Sequence, residues 1–300
     1  MGSGGRATGG GDRAATMRGR STWRRVAGRV GREVAWHGVM LIACAFVLAP
    51  IVMVVLGSFK TVNEFFARPY GLPESLDFQN YVKAWSEAKI QVALRNSLIV
   101  TTLGVALSTT LACLAAYGLA RFPFRGRLAV RMLFVGGLVV PVQLIILPLF
   151  ILFRQLGILG DLRSLIAVYA VFGIPLGVLV LTGFFAVLPR DLEEAARIDG
   201  ASHFEVFRRI MLPLARPALA AVVILNGVWM WNDFFLGFIL LTKPDAQTLP
   251  VGIMAFRGTY STEWGLIFAS VTISAVPVVA AYLLLSRQFI AGLTAGSVKG

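Results

Sequence analysis

Apolar residues in this chain come in blocks of about twenty, separated by short polar stretches. At roughly 1.5 Å per helical residue, each block is long enough to cross the ~30 Å hydrocarbon layer of a bilayer. Six spans are predicted: Gly38–Gly57, Ser97–Leu119, Met132–Phe153, Leu165–Leu188, Ala218–Leu241 and Leu266–Leu285. Backbone inside hydrocarbon must satisfy its own hydrogen bonds, so the spans read as helices and the fold class as an all-α integral membrane protein. The polar stretches set the divisions. Residues 1–36 form an Arg/Gly-rich tail, predicted to be disordered and attracted to anionic lipid. Residues 37–58 carry the first span and 59–96 lie outside the membrane. Residues 97–286 hold a five-helix core with a charged loop at 189–217, and 287–300 form a C-terminal tail. Within 59–96, Phe78, Tyr81 and Trp85 recur at helical spacing and predict a short helix at the outer surface. Pro141 and Pro148 in span three, Pro175 in span four and Pro277 in span six predict kinks.

The loop at 189–217 carries two helix-start patterns in succession. Asp191 with Glu194, and Ser202 with Glu205, are each spaced as a capping box. Gly200 sits between them, where a helix C-terminus needs a left-handed residue. Two short helices meeting at a glycine elbow are predicted, water-exposed and well placed to dock another protein.

Composition rules out a soluble domain with a single core: 57% of residues are hydrophobic and the mean hydropathy is +0.77. The first span is too long for a cleavable signal peptide and has no small-residue cleavage site behind it. The net charge of +13 is a topology signal rather than a nucleic-acid footprint. With the N-terminus inside, nineteen basic residues fall in inside segments and nine in outside ones. That bias places both termini in the cytoplasm. Cys44 and Cys113 both fall within spans, as packing residues rather than a disulfide or metal pair.

No catalytic, cofactor or metal site is predicted. None of the five lysines follows a glycine, so the chain has no Gly-Lys-Ser or Gly-Lys-Thr phosphate loop. His37, at the membrane edge, and His203, in the elbow loop, are two histidines too separated to make a metal cluster. Asp233 is the one carboxylate well inside a span, and Asn226, Trp229 and Asp233 share one face of an uninterrupted helix, with Asn232 and Trp231 on the same turn. An ionisable group at that depth costs about 2.5–3.5 kcal/mol on insertion scales and faces either a polar cavity or a partner. Two readings stay open: a face of the translocation pathway suited to a sugar, or a helix–helix hydrogen bond. Gln143 is open in the same way.

Glu194-Ala195-Ala196, then Gly200, then Ile210-Met211-Leu212-Pro213 resembles the cytoplasmic coupling loop of binding-protein-dependent ABC importers. Trp231-Asn232-Asp233-Phe234 and the ending from Phe289 to Gly300 look like carbohydrate importer permeases of the maltose type. The resemblance covers roughly residues 37–300. It implies a type I ABC importer permease fold in a bacterial or archaeal plasma membrane. The implied partners are a cytoplasmic ABC ATPase dimer using ATP and Mg²⁺, a second, homologous permease, an extracytoplasmic binding protein, and a sugar. It assigns the ATPase-coupling role to Glu194, Ala195, Ala196, Asp199 and Gly200, and contact with the binding protein to roughly Thr242–Trp264. The C-terminal tail would reach the ATPase dimer. An importer of a non-sugar solute would share the elbow but not the ending. An ion-coupled secondary transporter would show repeated halves and several intramembrane charges, and this chain shows neither.

The charge bias yields a direct test. In a background lacking Cys44 and Cys113, single cysteines at Ser75 and Ser261 should react with an impermeant thiol reagent added outside. A cysteine at Ser202 should stay protected, and its labelling from outside would invert the topology.

Overall fold

A computed structural model describes the backbone of residues 11–86, 89–254, 256 and 263–297. Side chains are described for residue 33 and for residues 35–284 within that set. Residues 1–10 and 298–300, parts of the expected tails, lie outside the described residues, as does most of 255–262 in the last outside segment.

The chain divides into two units, residues 1–56 and 57–300. The described residues of the first belong to one helix, α1 (Gly11–Gly57), whose membrane-length part is Ala35–Gly57. Its described side chains are almost all exposed, as in a helix apolar all round. Where the sequence predicted a disordered tail, residues 11–36 are continuous with this helix. Its Ala and Arg residues are strong helix formers and it contains no proline before Pro50.

The second unit begins with α2 (Val62–Ala67) and α3 (Gln79–Ser86), the latter a short helix where the Phe78, Tyr81 and Trp85 spacing predicts one. α4 (Ile90–Arg121) is a 32-residue span, starting about two turns before the expected Ser97. α5 (Arg127–Val139) and α6 (Val142–Gln155) follow, then α7 (Leu162–Val187). The elbow comprises α8 (Asp191–Ile198), α9 (His203–Val206), a π-helical turn (Phe207–Met211) and α10 (Leu212–Leu214). α11 (Arg216–Asn232), α12 (Phe235–Leu240), α13 (Leu249–Met254) and α14 (Trp264–Ser297) complete the fold. Among the described residues, four helices are long and apolar enough to cross a membrane, and two bent pairs bring the total to six if each pair counts as one span.

Two expected spans are broken rather than continuous. In the third, Pro141 separates α5 from α6, whose axes lie 96° apart. Proline lacks an N–H and drives the residue before it out of the helical region, and Val140 is extended at φ −71°, ψ 113°. Pro148, Pro175 and Pro277 instead stay inside helices. In the fifth, α11 stops at Asn232 and Asp233 turns extended at φ −67°, ψ 117°. Asp233 therefore leaves the helical face on which the sequence placed it.

The core is built on α4 against α7, with α11 packed across both and α14 on α11. Small residues let the backbones approach. Gly104, Ser108, Ala112 and Ala116 repeat every four residues on α4, and the first three face Tyr169, Gly173 and Gly177 on α7. A Cβ at Gly177 would lie 2.6 Å from that of Ala112, and one at Gly173 would lie 2.7 Å from that of Ser108. Lipid tails are as apolar as side chains, so close packing and hydrogen bonds hold such a pair, not the hydrophobic effect.

Near its N-terminal end, α4 carries the loop between α12 and α13. Asn96 Nδ2 donates to the Asp245 and Gln247 carbonyls at 2.9 and 3.0 Å, and Ser97 Oγ accepts from Leu249 N at 2.8 Å.

Gly177→Val should wedge α4 from α7 and destabilise the protein by about 1–3 kcal/mol, the usual cost of overpacking. A melting curve on purified protein in detergent checks it. An unchanged midpoint would show that the pair is not close-packed there.

Candidate functional site

The elbow is assembled by local backbone rules. Arg190 is already helical at φ −72°, ψ −28°, and its carbonyl accepts from Glu193 N and Glu194 N. Asp191 thus lies inside the helix and caps nothing, so the Asp191–Glu194 capping box predicted from the sequence does not form. The three carboxylates of this first turn, Asp191, Glu193 and Glu194, still suit the positive end of the helix dipole. α8 ends as a Schellman motif: Gly200 N donates to Arg197 O at 3.1 Å, and Ala201 N to Ala196 O at 3.0 Å. Gly200 takes φ +87°, as predicted. The second box forms in full. Ser202 Oγ accepts from Glu205 N, while the Glu205 carboxylate accepts from Ser202 N at 3.0 Å. The Ser202 backbone and hydroxyl, with Arg209 nearby, hold the Glu205 carboxyl below the ordinary carboxylate range. Past the π turn, the chain bends 73° at Ala215 into α11.

The two faces of α8 differ. Asp191, Glu194, Ala195 and Ile198, spaced as one helical stripe, are exposed, and Asp199 and Gly200 continue that surface. Ile198 is 85% exposed and Phe204, just past the elbow, 65%. Glu193 and Ala196 face the other way, Ala196 packing against the core around Phe185 and Met211. Of the five residues tied to coupling by resemblance, Glu194, Ala195, Asp199 and Gly200 are therefore on the open surface, while Ala196 helps seat the helix.

Sequence reasoning missed the seat itself. Glu193 Oε1 lies 2.6 Å from Arg121 Nε at the end of α4, with the two side chains 15% and 5% exposed. The contact is ionic rather than a well-aligned hydrogen bond, since neither atom has a hydrogen-bond partner by geometry. Arg121 also donates to the Leu188 carbonyl at 2.9 Å, and Tyr117 hydroxyl reaches Glu193 Oε2 at 3.4 Å. The Tyr117 ring packs against Phe122, Phe185 and Phe207, and His203 lies edge-on to Phe122. The available signal was the helical spacing, which puts Glu193 and Ala196 on one face and turns Glu194 about 100° away from Glu193.

The four candidate pathway residues separate into two kinds. Asn226 is buried and its Nδ2 donates to the Gly173 carbonyl at 3.1 Å. Asp233 Oδ2 accepts from Tyr169 hydroxyl at 3.0 Å and from Gly237 N at 3.3 Å, so it ties α7 to the first turn of α12. Trp229 is 39% exposed, its ring 5.5 Å from that of Tyr169. Asn232 is exposed and bonded within its own helix, to Val228 O at 2.7 Å. Gln143 is exposed on α6.

Residues 108–291 match the family described as the binding-protein-dependent transport system inner membrane component. The chain is 35% identical over 271 residues to the probable ABC transporter permease protein YurM of Bacillus subtilis, covering 90% of each. It is 36% identical over 265 residues to the diacetylchitobiose uptake system permease protein NgcG of Streptomyces coelicolor, covering 88% of each. Its fold is similar to a chain of a bacterial ABC transporter involved in alginate import, with a TM-score of 0.75 at 22% identity, covering 88% of this chain and 97% of that one. The family match spans more than half of the sequence and contains both the elbow and the α11–α12 break, so this multi-pass membrane chain belongs to the binding-protein-dependent transport system inner membrane component family.

Proposed function

We propose that the chain is the membrane-spanning permease subunit of an ATP-driven, binding-protein-dependent importer that carries a sugar, an oligosaccharide or sugar derivative, into the cytoplasm. The observation that carries this reading is the elbow, one face of which is fixed to the bundle while the other presents Glu194, Ala195, Ile198, Asp199 and Phe204 to solvent. An exposed patch mixing carboxylates with large apolar side chains suits a protein partner better than water. In this reading the partner is a cytoplasmic ATPase dimer, which binds ATP and Mg²⁺ and receives the elbow in a cleft. A second, homologous permease completes the pathway, since one core with one elbow forms half of it. A binding protein delivers the sugar at the outer segment Thr242–Trp264. Both termini then lie in the cytoplasm, in agreement with the basic-residue bias. The sugar class is supported by likeness to a diacetylchitobiose permease and by the sugar-permease ending of the chain.

Along the pathway, Trp229 and Asn232 are the side chains open to meet a sugar, an aromatic face with an amide beside it. Asn226 and Asp233 hold the helices that present them.

Glu194→Lys reverses an exposed charge without touching the elbow's own bonds, and should weaken ATPase co-purification and sugar uptake together. Gly200→Pro cannot adopt a positive φ and loses the bond to Arg197 O, so it should do the same. Gly200→Ala, with nothing within 4 Å of an added Cβ, adds only backbone strain of about 1–2 kcal/mol and should retain more function. Wild-type co-purification and uptake in Glu194→Lys and Gly200→Pro would remove the elbow as the docking site.

For the pathway, Asn232→Ala should leave complex yield unchanged and shift the sugar concentration for half-maximal uptake. Asp233→Ala should instead lower the yield, by stranding Tyr169 hydroxyl and Gly237 N. The opposite pattern, a kinetic shift at full yield for Asp233→Ala, would make that carboxylate the sugar contact.

A further inference from the structure

The ion pair between Arg121 and Glu193 joins two elements that touch little otherwise. α8 contains no fully buried residue, so packing alone gives it a weak hold on the bundle. Its inward face offers Glu193 and the small side chain of Ala196. Both oxygens of Glu193 are engaged, one by Arg121 and the other by Tyr117, and both partners belong to α4. Arg121 in turn holds the carbonyl of Leu188, where the chain leaves α7. Arg121 is the last residue of α4, and the opposite end of that helix grips the outer loop through Asn96 and Ser97. A cation at a helix C-terminus is favoured by the helix dipole, and a carboxylate in the first turn of α8 is favoured in the same way. Charges shielded from water attract more strongly than exposed ones, and removing either strands the other. The elbow therefore cannot lift from α4 without uncovering an unpaired charge.

We infer that Arg121 and Glu193 are positioning residues for coupling: the strut through which motion of the ATPase-bound elbow is passed to α4, and along α4 to the outer loop. This rests on the elbow being the ATPase-docking element. It divides labour between adjacent carboxylates, with Glu194 facing the ATPase and Glu193 the membrane bundle. No sugar contact is assigned to either residue.

The test uses the assembled importer in liposomes, with ATPase and binding protein present, and reads three quantities: ATPase co-purification, ATP hydrolysis and sugar taken up per ATP. Glu193→Gln keeps the shape of the side chain and should leave co-purification near wild type while uptake per ATP falls by about tenfold, the scale of a lost coupling free energy. Arg121→Glu alone should be worse, and Arg121→Glu combined with Glu193→Arg should recover a large part of the ratio. A wild-type ratio in Glu193→Gln would overturn the strut. So would a parallel loss of co-purification and uptake that the swapped pair fails to restore, since that is the behaviour of a folding contact. Glu194→Lys in the same assay separates the two claims. If it loses ATPase binding while Glu193→Gln stays coupled, only the strut fails. If both behave as wild type, the elbow is not the docking element and the strut falls with it.

Discussion

The second unit of this protein is built on the contact between α4 and α7. Gly173 and Gly177 have no side chains where Ser108 and Ala112 press against them, so the two helices meet almost backbone to backbone. With lipid rather than water as the competing solvent, the gain comes from dispersion across a large, well-matched surface. The close approach also brings the Gly173 carbonyl within reach of Asn226, which anchors α11 to the same pair. From that rigid centre α4 extends both ways, to the α12–α13 loop at Asn96 and Ser97 and to the elbow at Tyr117 and Arg121.

Local rules made part of this legible and tertiary placement hid the rest. Four spans among the described residues, or six if each bent pair counts as one, followed from length and hydrophobicity alone, because a bilayer imposes both. Gly200 and the Ser202–Glu205 box were readable because each is satisfied by atoms within three residues of itself. Asp191 was misread for a tertiary reason: the chain leaving α7 is already helical at Arg190, which takes the capping position one residue early. The repeat of small residues on α4 was present in the sequence, but its meaning depends on which helix faces it.

Asp233 shows where periodicity misleads. Counting by threes and fours placed it with Asn226 and Trp229, on the assumption that the helix continues. The helix stops, and the carboxylate finds a better environment by turning to the unpaired amide at the start of α12 and to the Tyr169 hydroxyl. Two donors and the positive end of a helix offset the cost of placing a carboxylate at that depth. The motif around Trp231 and Asn232 thus marks a break, in which a side chain replaces the hydrogen bonds that the backbone gives up. Pro141 breaks α5 from α6 by the more familiar route of a missing N–H and a steric clash. Both breaks interrupt spans that length and hydrophobicity alone would leave continuous.

The adjacent carboxylates Glu193 and Glu194 extend that reasoning to the elbow. Neighbours on a helix point about 100° apart, so one can be buried against the bundle while the next stays in solvent. Were α8 the docking element proposed above, it would need both faces, since a partner can move only what it holds and the bundle can follow only what is tied to it. Apolar packing gives α8 only a weak hold, since none of its residues is fully buried, and such packing is non-directional and tolerates sliding. A buried pair of opposite charges resists separation and lateral displacement together, because either strands a charge away from water. The Tyr117 aromatic cluster beside that pair shields it from water, which preserves its strength while the outward face of the same helix stays exposed.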